Sequence, residues 1–242
     1  MPTHLTAAHP RTVLEEEEAA IDHVLSYTPA VVEGGPSGNE VALTFDDGPG
    51  PYTLELVEEL NRLHVKATFF SIGEMERYFS AGTAAEVRAG DAIGDHTETH
   101  PPLATLSEAG QYQQLSEAAA RLEVVGAPRV RLFRPPYGSF SQTTFKVARR
   151  LHMLMVLWST DTADYTLPGV AAIVQRALAG AHPGAIILMH DGGGNRSETI
   201  AALPAIVAGL RRKGLVPVTV PELLLHDPPP PGRPIPSSLA GD

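Results

Sequence analysis

Short strand-like runs alternate with stretches of helical spacing along this chain, and that alternation most limits the folds open to it. The runs fall at about 41–45, 65–72, 91–95, 129–133, 151–158, 185–189 and 215–220. Most are nearly continuous in apolar residues, as in strands buried on both faces of a parallel sheet. Between them, 52–63, 84–89, 107–125, 143–150, 170–178 and 196–213 carry helical periodicity. In the first of these, Leu54, Val57 and Leu60 share one face, while Glu55, Glu58 and Glu59 lie elsewhere. The order predicts one α/β domain over residues 40–226, a small or incomplete β/α barrel. A doubly wound open sheet is the runner-up.

The flanks read differently. Residues 1–39 look like an extension of one helix, 13–25, followed by a flexible linker at Gly34-Gly35-Pro36. Residues 227–242 carry four consecutive prolines, 228–231, and read as a disordered tail. A net charge of -10 argues against a nucleic-acid or anionic-membrane partner. The chain has no cysteine, so disulfides and thiolate chemistry are excluded. No apolar run approaches the roughly 20 residues of a membrane span. Residues 1–11 carry no apolar core of a secretory signal.

Chemistry collects at the ends of the runs. Asp46 and Asp47, His96 and His100, Arg134, Asp161 and Asp164, and His190 each follow the C-terminal end of a predicted strand. In a β/α barrel those ends share one rim, where active sites sit. Two adjacent carboxylates at the end of an apolar strand repel each other and are costly to desolvate, so a divalent cation is the simplest compensation. His96 and His100 are four residues apart, and Pro101 disfavours helical geometry for His100, so a compact turn is expected. Two imidazoles and one carboxylate make a three-ligand site that leaves positions open. One Asp would bind the metal and the other would take a proton, held ionised by Arg134. His190 would act as a general acid, oriented by Asp161 or Asp164. There is no Gly-x-Ser-x-Gly elbow for a covalent esterase. Gly192-Gly193-Gly194 reads as a flexible turn.

Five motifs in order carry a resemblance: Thr44-Phe45-Asp46-Asp47-Gly48, His96-Thr97-Glu98-Thr99-His100-Pro101, Arg134-Pro135-Pro136-Tyr137-Gly138, Asp161-Thr162-Ala163-Asp164-Tyr165 and Leu188-Met189-His190. Together they resemble the polysaccharide deacetylases of carbohydrate esterase family 4, the NodB-homology domain, over roughly 40–225. The resemblance implies a distorted (β/α)7 barrel in a single domain. It also implies a metal-dependent hydrolase that removes acetyl groups from an N-acetylated glycan, peptidoglycan or chitin-like. By motif position Asp46 looks like the base, Asp47, His96 and His100 the metal ligands, and Arg134 the residue that orients Asp46. Asp164 would tune His190, the acid, and the Tyr137 N–H would help hold the oxyanion. Leu188 would line the acetate pocket, with Trp158 close by. The family usually places Trp after the second Asp of the fourth motif; here it is Tyr165, which bears on substrate preference.

Zinc is the expected metal, with cobalt, nickel or manganese able to use the same donors. The resemblance favours a secreted or cell-envelope location. The same site would serve an O-acetyl-xylan esterase. Two further readings compete: a metal-dependent glycan-binding module without turnover, and a hydrolase of cyclic amides. The acidic surface favours a small soluble oligosaccharide over an anionic wall polymer on charge grounds.

Overall fold

The structure, a computed structural model, describes residues 12–235. In chain order its first half contains α1 (Val13–Leu25), β1 (Ala30–Val31), β2 (Glu40–Asp46), α2 (Thr53–Arg62), β3 (Thr68–Ser71), α3 (Glu76–Ala89), β4 (Ala92–Asp95) and α4 (Glu108–Val124). The second half contains β5 (Leu132–Phe133), α5 (Gln142–Leu151), β6 (Leu154–Val156), β7 (Thr160–Asp161), α6 (Val170–Gly180), β8 (Ile186–His190), α7 (Ser197–Arg212), β9 (Val216–Val218) and α8 (Val220–His226).

The strands join one parallel sheet in the order β1-β6-β5-β4-β3-β2-β8-β7, with β9 beside the start of β2. The sheet curls into a half-barrel clad in helices, a distorted (β/α)7 barrel in a single domain. The doubly wound open sheet is thereby excluded. Alternation along β2 shows how the barrel is filled. Val41, Leu43 and Phe45 face outward into a cluster with Leu56 and Leu60 of α2 and Leu203 and Ile206 of α7. The inward positions run Ala42, Thr44, Asp46, from apolar at the N-terminal end to charged at the rim. Ala42 meets Phe70, Leu132, Leu154, Val156 and Ile186 in the barrel interior.

The expected extension belongs to this interior. Thr12 and Glu15 cap α1 reciprocally, the Thr12 N–H donating to Glu15 at 2.8 Å. Ile21 and Val24 of α1 and Leu223 and Leu224 of α8 then close the bottom of the barrel against Ala42 and Phe70. The expected linker supplies a strand, because Ala30 and Val31 pair with Met155 and Val156. Its glycines are pinned too: the Gly34 N–H donates to the Gly184 carbonyl and the Gly35 N–H to that of Asp227. Part of the segment after residue 227 is likewise packed: Pro229 is buried and Ile235 lies half-buried against the core, while Pro230, Pro231 and Pro234 are exposed. The Pro229 carbonyl accepts from the Tyr27 hydroxyl at 2.7 Å, and Arg233 pairs with Glu33. The expected tail beyond 235, and residues 1–11, lie outside the described residues. Ile21→Ala should therefore cost about 2–5 kcal/mol of stability, although Ile21 lies outside the expected catalytic domain. A urea titration measures this, and a loss below about 0.5 kcal/mol would show α1 to be dispensable.

Two other expectations shift. The helix expected at 84–89 starts earlier, at Glu76, with a kink at Phe79. The apolar run 151–158 is not one strand. Leu151 ends α5, His152 caps it in a left-handed conformation, and only Leu154–Val156 is paired strand beside β5 and β1. The chain then crosses to the other side of the barrel, where Thr160 and Asp161 pair with Ile187 and Leu188. Hydrophobicity records burial but not which neighbour a segment pairs with.

Candidate active site

All paired strands run parallel, so the ends of β2, β4, β5, β7 and β8 open on one rim. There the backbone departs from ordinary geometry: Asp47, Thr97, His100, Tyr137 and Ala163 all have positive φ. Such conformations are costly for residues with side chains and persist where the surroundings impose them.

Asp46 and Asp47 are separated by this geometry. Asp46, the last residue of β2, points into the barrel. Its Oδ1 accepts from Arg134 Nη1 at 2.7 Å. Arg134 is fully buried and spends its other donors on the Thr44 hydroxyl and the carbonyls of Val156 and Leu157. Its guanidinium lies 4.2 Å from the centre of the Phe70 ring. One Asp46 oxygen is thus pinned, and the other, Oδ2, lies 3.8 Å from His96 Nε2. Asp47, with φ of 71°, turns its carboxylate to the histidines instead. Its Oδ1 is 3.1 Å from His100 Nε2 and 3.5 Å from His96 Nε2.

The two histidines meet in a turn, not a helix, and their Nε2 atoms are 3.2 Å apart. His96 Nδ1 lies 2.8 Å from the Arg134 carbonyl, which can only accept. Nδ1 therefore carries the proton, and in the neutral ring Nε2 presents a lone pair. His100 Nδ1 contacts the Tyr137 hydroxyl at 3.1 Å. The three donor atoms of Asp47, His96 and His100 lie within 4.8 Å of one another. A carboxylate oxygen facing the His96 lone pair and a second imidazole suits a divalent cation, and the carbonyl behind His96 is a contact of the kind that orients metal ligands.

Across the rim, His190 ends β8. Of the two carboxylates expected to compete for it, the structure selects Asp164. Asp164 Oδ1 lies 2.8 Å from His190 Nδ1, and its Oδ2 accepts from the His190 N–H and the Thr199 hydroxyl. Asp161 accepts instead from the Ala163 N–H, and Ala163, at φ 48°, folds Asp164 back beneath the imidazole. Burial works against the imidazolium. The Asp164 bond and charge, with Asp46 and Asp47 farther off, outweigh it and raise the His190 pKa to about 9.

Asp47, His96, His100 and His190 line a cavity of about 540 Å³. Tyr137, Trp158 and Tyr165 add aromatic walls, with Leu188 also facing the space. Tyr165 stands edge-on to His190, ring centres 5.3 Å apart. Asp46, Arg134 and Asp164 sit behind these residues, buried. Two lining residues are not singled out by the sequence patterns: Thr166, just after the fourth motif, and Arg196, in the loop after β8. The second of these is the charged one. Its only local signal is its place after a glycine run at a strand end.

A family profile described as polysaccharide deacetylase matches residues 33–156. The chain is 37% identical over 190 residues to a peptidoglycan-N-acetylglucosamine deacetylase of Bacillus cereus, covering 77% of this chain and 88% of that one. It is 34% identical over 211 residues to a chitooligosaccharide deacetylase of Sinorhizobium fredii, covering 82% and 98%. Among solved structures, a peptidoglycan N-acetylglucosamine deacetylase bound to a naphthalenyl N-oxidanyl-benzamide superposes with a TM-score of 0.79 at 33% identity, covering 83% of this chain and 94% of that one. Profile, relatives and barrel agree, and the chain belongs to the polysaccharide deacetylase family.

Proposed function

We propose that this protein is a hydrolase that removes acetyl groups from an N-acetylated glycan of the peptidoglycan or chitin type. The observation that carries the reading is the pairing of two differently held groups about one donor set. Asp46 is held by Arg134, His190 is held by Asp164, and Asp47, His96 and His100 converge on the same rim. Asp47, His96 and His100 would hold a divalent metal, and two nitrogens with one oxygen favour zinc. When bound, such a cation polarises a carbonyl oxygen and acidifies water. Asp46, with Oδ1 fixed, takes the proton of the attacking water on Oδ2. The Tyr137 N–H donates to the oxyanion that forms as the acetyl carbonyl becomes tetrahedral. His190 is protonated at neutral pH, with Nδ1 committed to Asp164, and delivers a proton from Nε2 to the departing amine. Leu188 and Trp158 enclose the acetyl methyl group, and Tyr165 walls the sugar.

Acetate release from N-acetylated chito-oligosaccharides, peptidoglycan fragments and O-acetylated xylan, each with zinc and with chelator, tests this. Release from an N-acetylated glycan that chelation abolishes and zinc restores is expected. Release from xylan alone would move the assignment to an O-acetyl esterase. Release indifferent to chelation, or none from any glycan by zinc-loaded protein, would overturn the proposal.

A further inference from the structure

Arg196 occupies an unusual position for a cation. It is 3% exposed and lines the cavity, yet among the described residues it has no carboxylate partner. The other deeply buried arginines do: Arg134 pairs with Asp46 and Arg131 with Asp22. Arg196 is held through Nε on the Gly192 carbonyl at 2.6 Å and through Nη1 on the Asn195 carbonyl at 3.1 Å. Neither bond uses Nη2.

The glycine run gives this hold its shape. A Cβ on Gly192 would fall 2.0 Å from the Asp47 carbonyl oxygen, and Gly193 has φ of 71°. The loop therefore packs directly against the backbone of a proposed metal ligand, and Arg196 lines the same cavity as that ligand and His190. Backbone carbonyls satisfy two of its donor groups but leave its charge uncompensated. A sugar hydroxyl would satisfy a further N–H and still leave the charge. A carboxylate does both, and guanidinium is suited to it geometrically. The acids of the cavity are engaged elsewhere, Asp47 with the histidines and Asp161 with the Ala163 N–H.

We propose that Arg196 is a substrate-positioning residue that receives a carboxylate carried by the glycan near the acetylated amine. This rests on the deacetylase reading and narrows its substrate class to acidic glycans. The acidity of the whole surface is no obstacle, because the contact is local and inside the cavity.

The test uses full-length zinc-loaded protein and a matched pair of ligands. One is an N-acetylated oligosaccharide bearing carboxylates as lactyl ethers; the other is the same molecule with those carboxylates amidated. Wild-type protein should bind the acid about tenfold or more tighter than the amide by calorimetry. Arg196→Gln should bring that ratio close to one, and Arg196→Lys should retain part of it. Equal affinities in the wild type, or a ratio undiminished in Arg196→Gln, would overturn the proposal. If Arg196→Gln does not fold, the wild-type ratio and its reduction in Arg196→Lys decide. Acetate release from the same ligands separates the two readings. Turnover with equal affinities removes Arg196 alone. A preserved affinity ratio without turnover of either ligand removes the deacetylase and leaves the carboxylate site.

Discussion

Asp46→Asn should lower kcat for acetate release by about 10²- to 10⁴-fold, the range expected for loss of a positioned general base. Asn keeps an oxygen for Arg134 Nη1 but cannot take a proton. The proposed metal donors are Asp47, His96 and His100, so zinc content should remain at the wild-type level. A second effect must be separated from the first. Arg134 is fully buried and Asp46 is its only ion-pair partner among the described residues. Breaking such a pair costs at most about 3–5 kcal/mol, and Asn retains part of the contact. Turnover should therefore be measured per folded, zinc-loaded molecule, with urea titration run beside it. Near wild-type kcat in that protein would remove Asp46 from its role.

Asp164→Asn should damage the other half of the reaction through His190. The imidazole must be protonated to donate, so activity is lost as pH rises through its pKa, raised here to about 9. Burial opposes the charge, and Asp164 is the chief group overcoming it. Without that carboxylate the alkaline limb of the kcat profile should move to lower pH, and kcat at pH 8 should fall by roughly 10²- to 10⁴-fold. Asp164 also accepts from the His190 N–H and the Thr199 hydroxyl, so the variant loosens the segment as well. The pH profile distinguishes the two effects. Simple loosening lowers kcat at every pH and leaves the limb in place, and that outcome would sink the proton-donor role.

The sequence determined a good deal by local means. Helices such as α2 and α4 were legible because apolar residues at 3.6-residue spacing need only their own neighbours, although in α2 the expected Leu54 is exposed and Leu56 joins Val57 and Leu60 in the core. Ser107 caps α4, accepting from the Gly110 N–H. Parallel strands were legible as short apolar runs, and the rim because polar residues consistently followed those runs. The non-helical turn at His100 came from a one-residue rule about proline.

Only the tertiary structure decided what depends on contacts between distant segments. It folded α1 and Ala30–Val31 into the barrel, since two strand residues carry too little pattern to announce a pairing with Met155 and Val156. It split the apolar run 151–158, because burial is the same whichever strand lies alongside. Spacing alone left open which carboxylate of each pair meets which partner; the motif resemblance named Asp46 with Arg134, Asp47 with the histidines and Asp164 with His190, and the structure supplies those contacts. In each case chemically identical carboxylates differ only in the backbone φ that aims them and in the partner that meets them. Arg196 is the plainest example, because a buried arginine with no carboxylate partner among the described residues differs from an ordinary one only in what is missing across space. Residue type and period are properties of neighbours along the chain, whereas charge compensation is a property of neighbours in three dimensions.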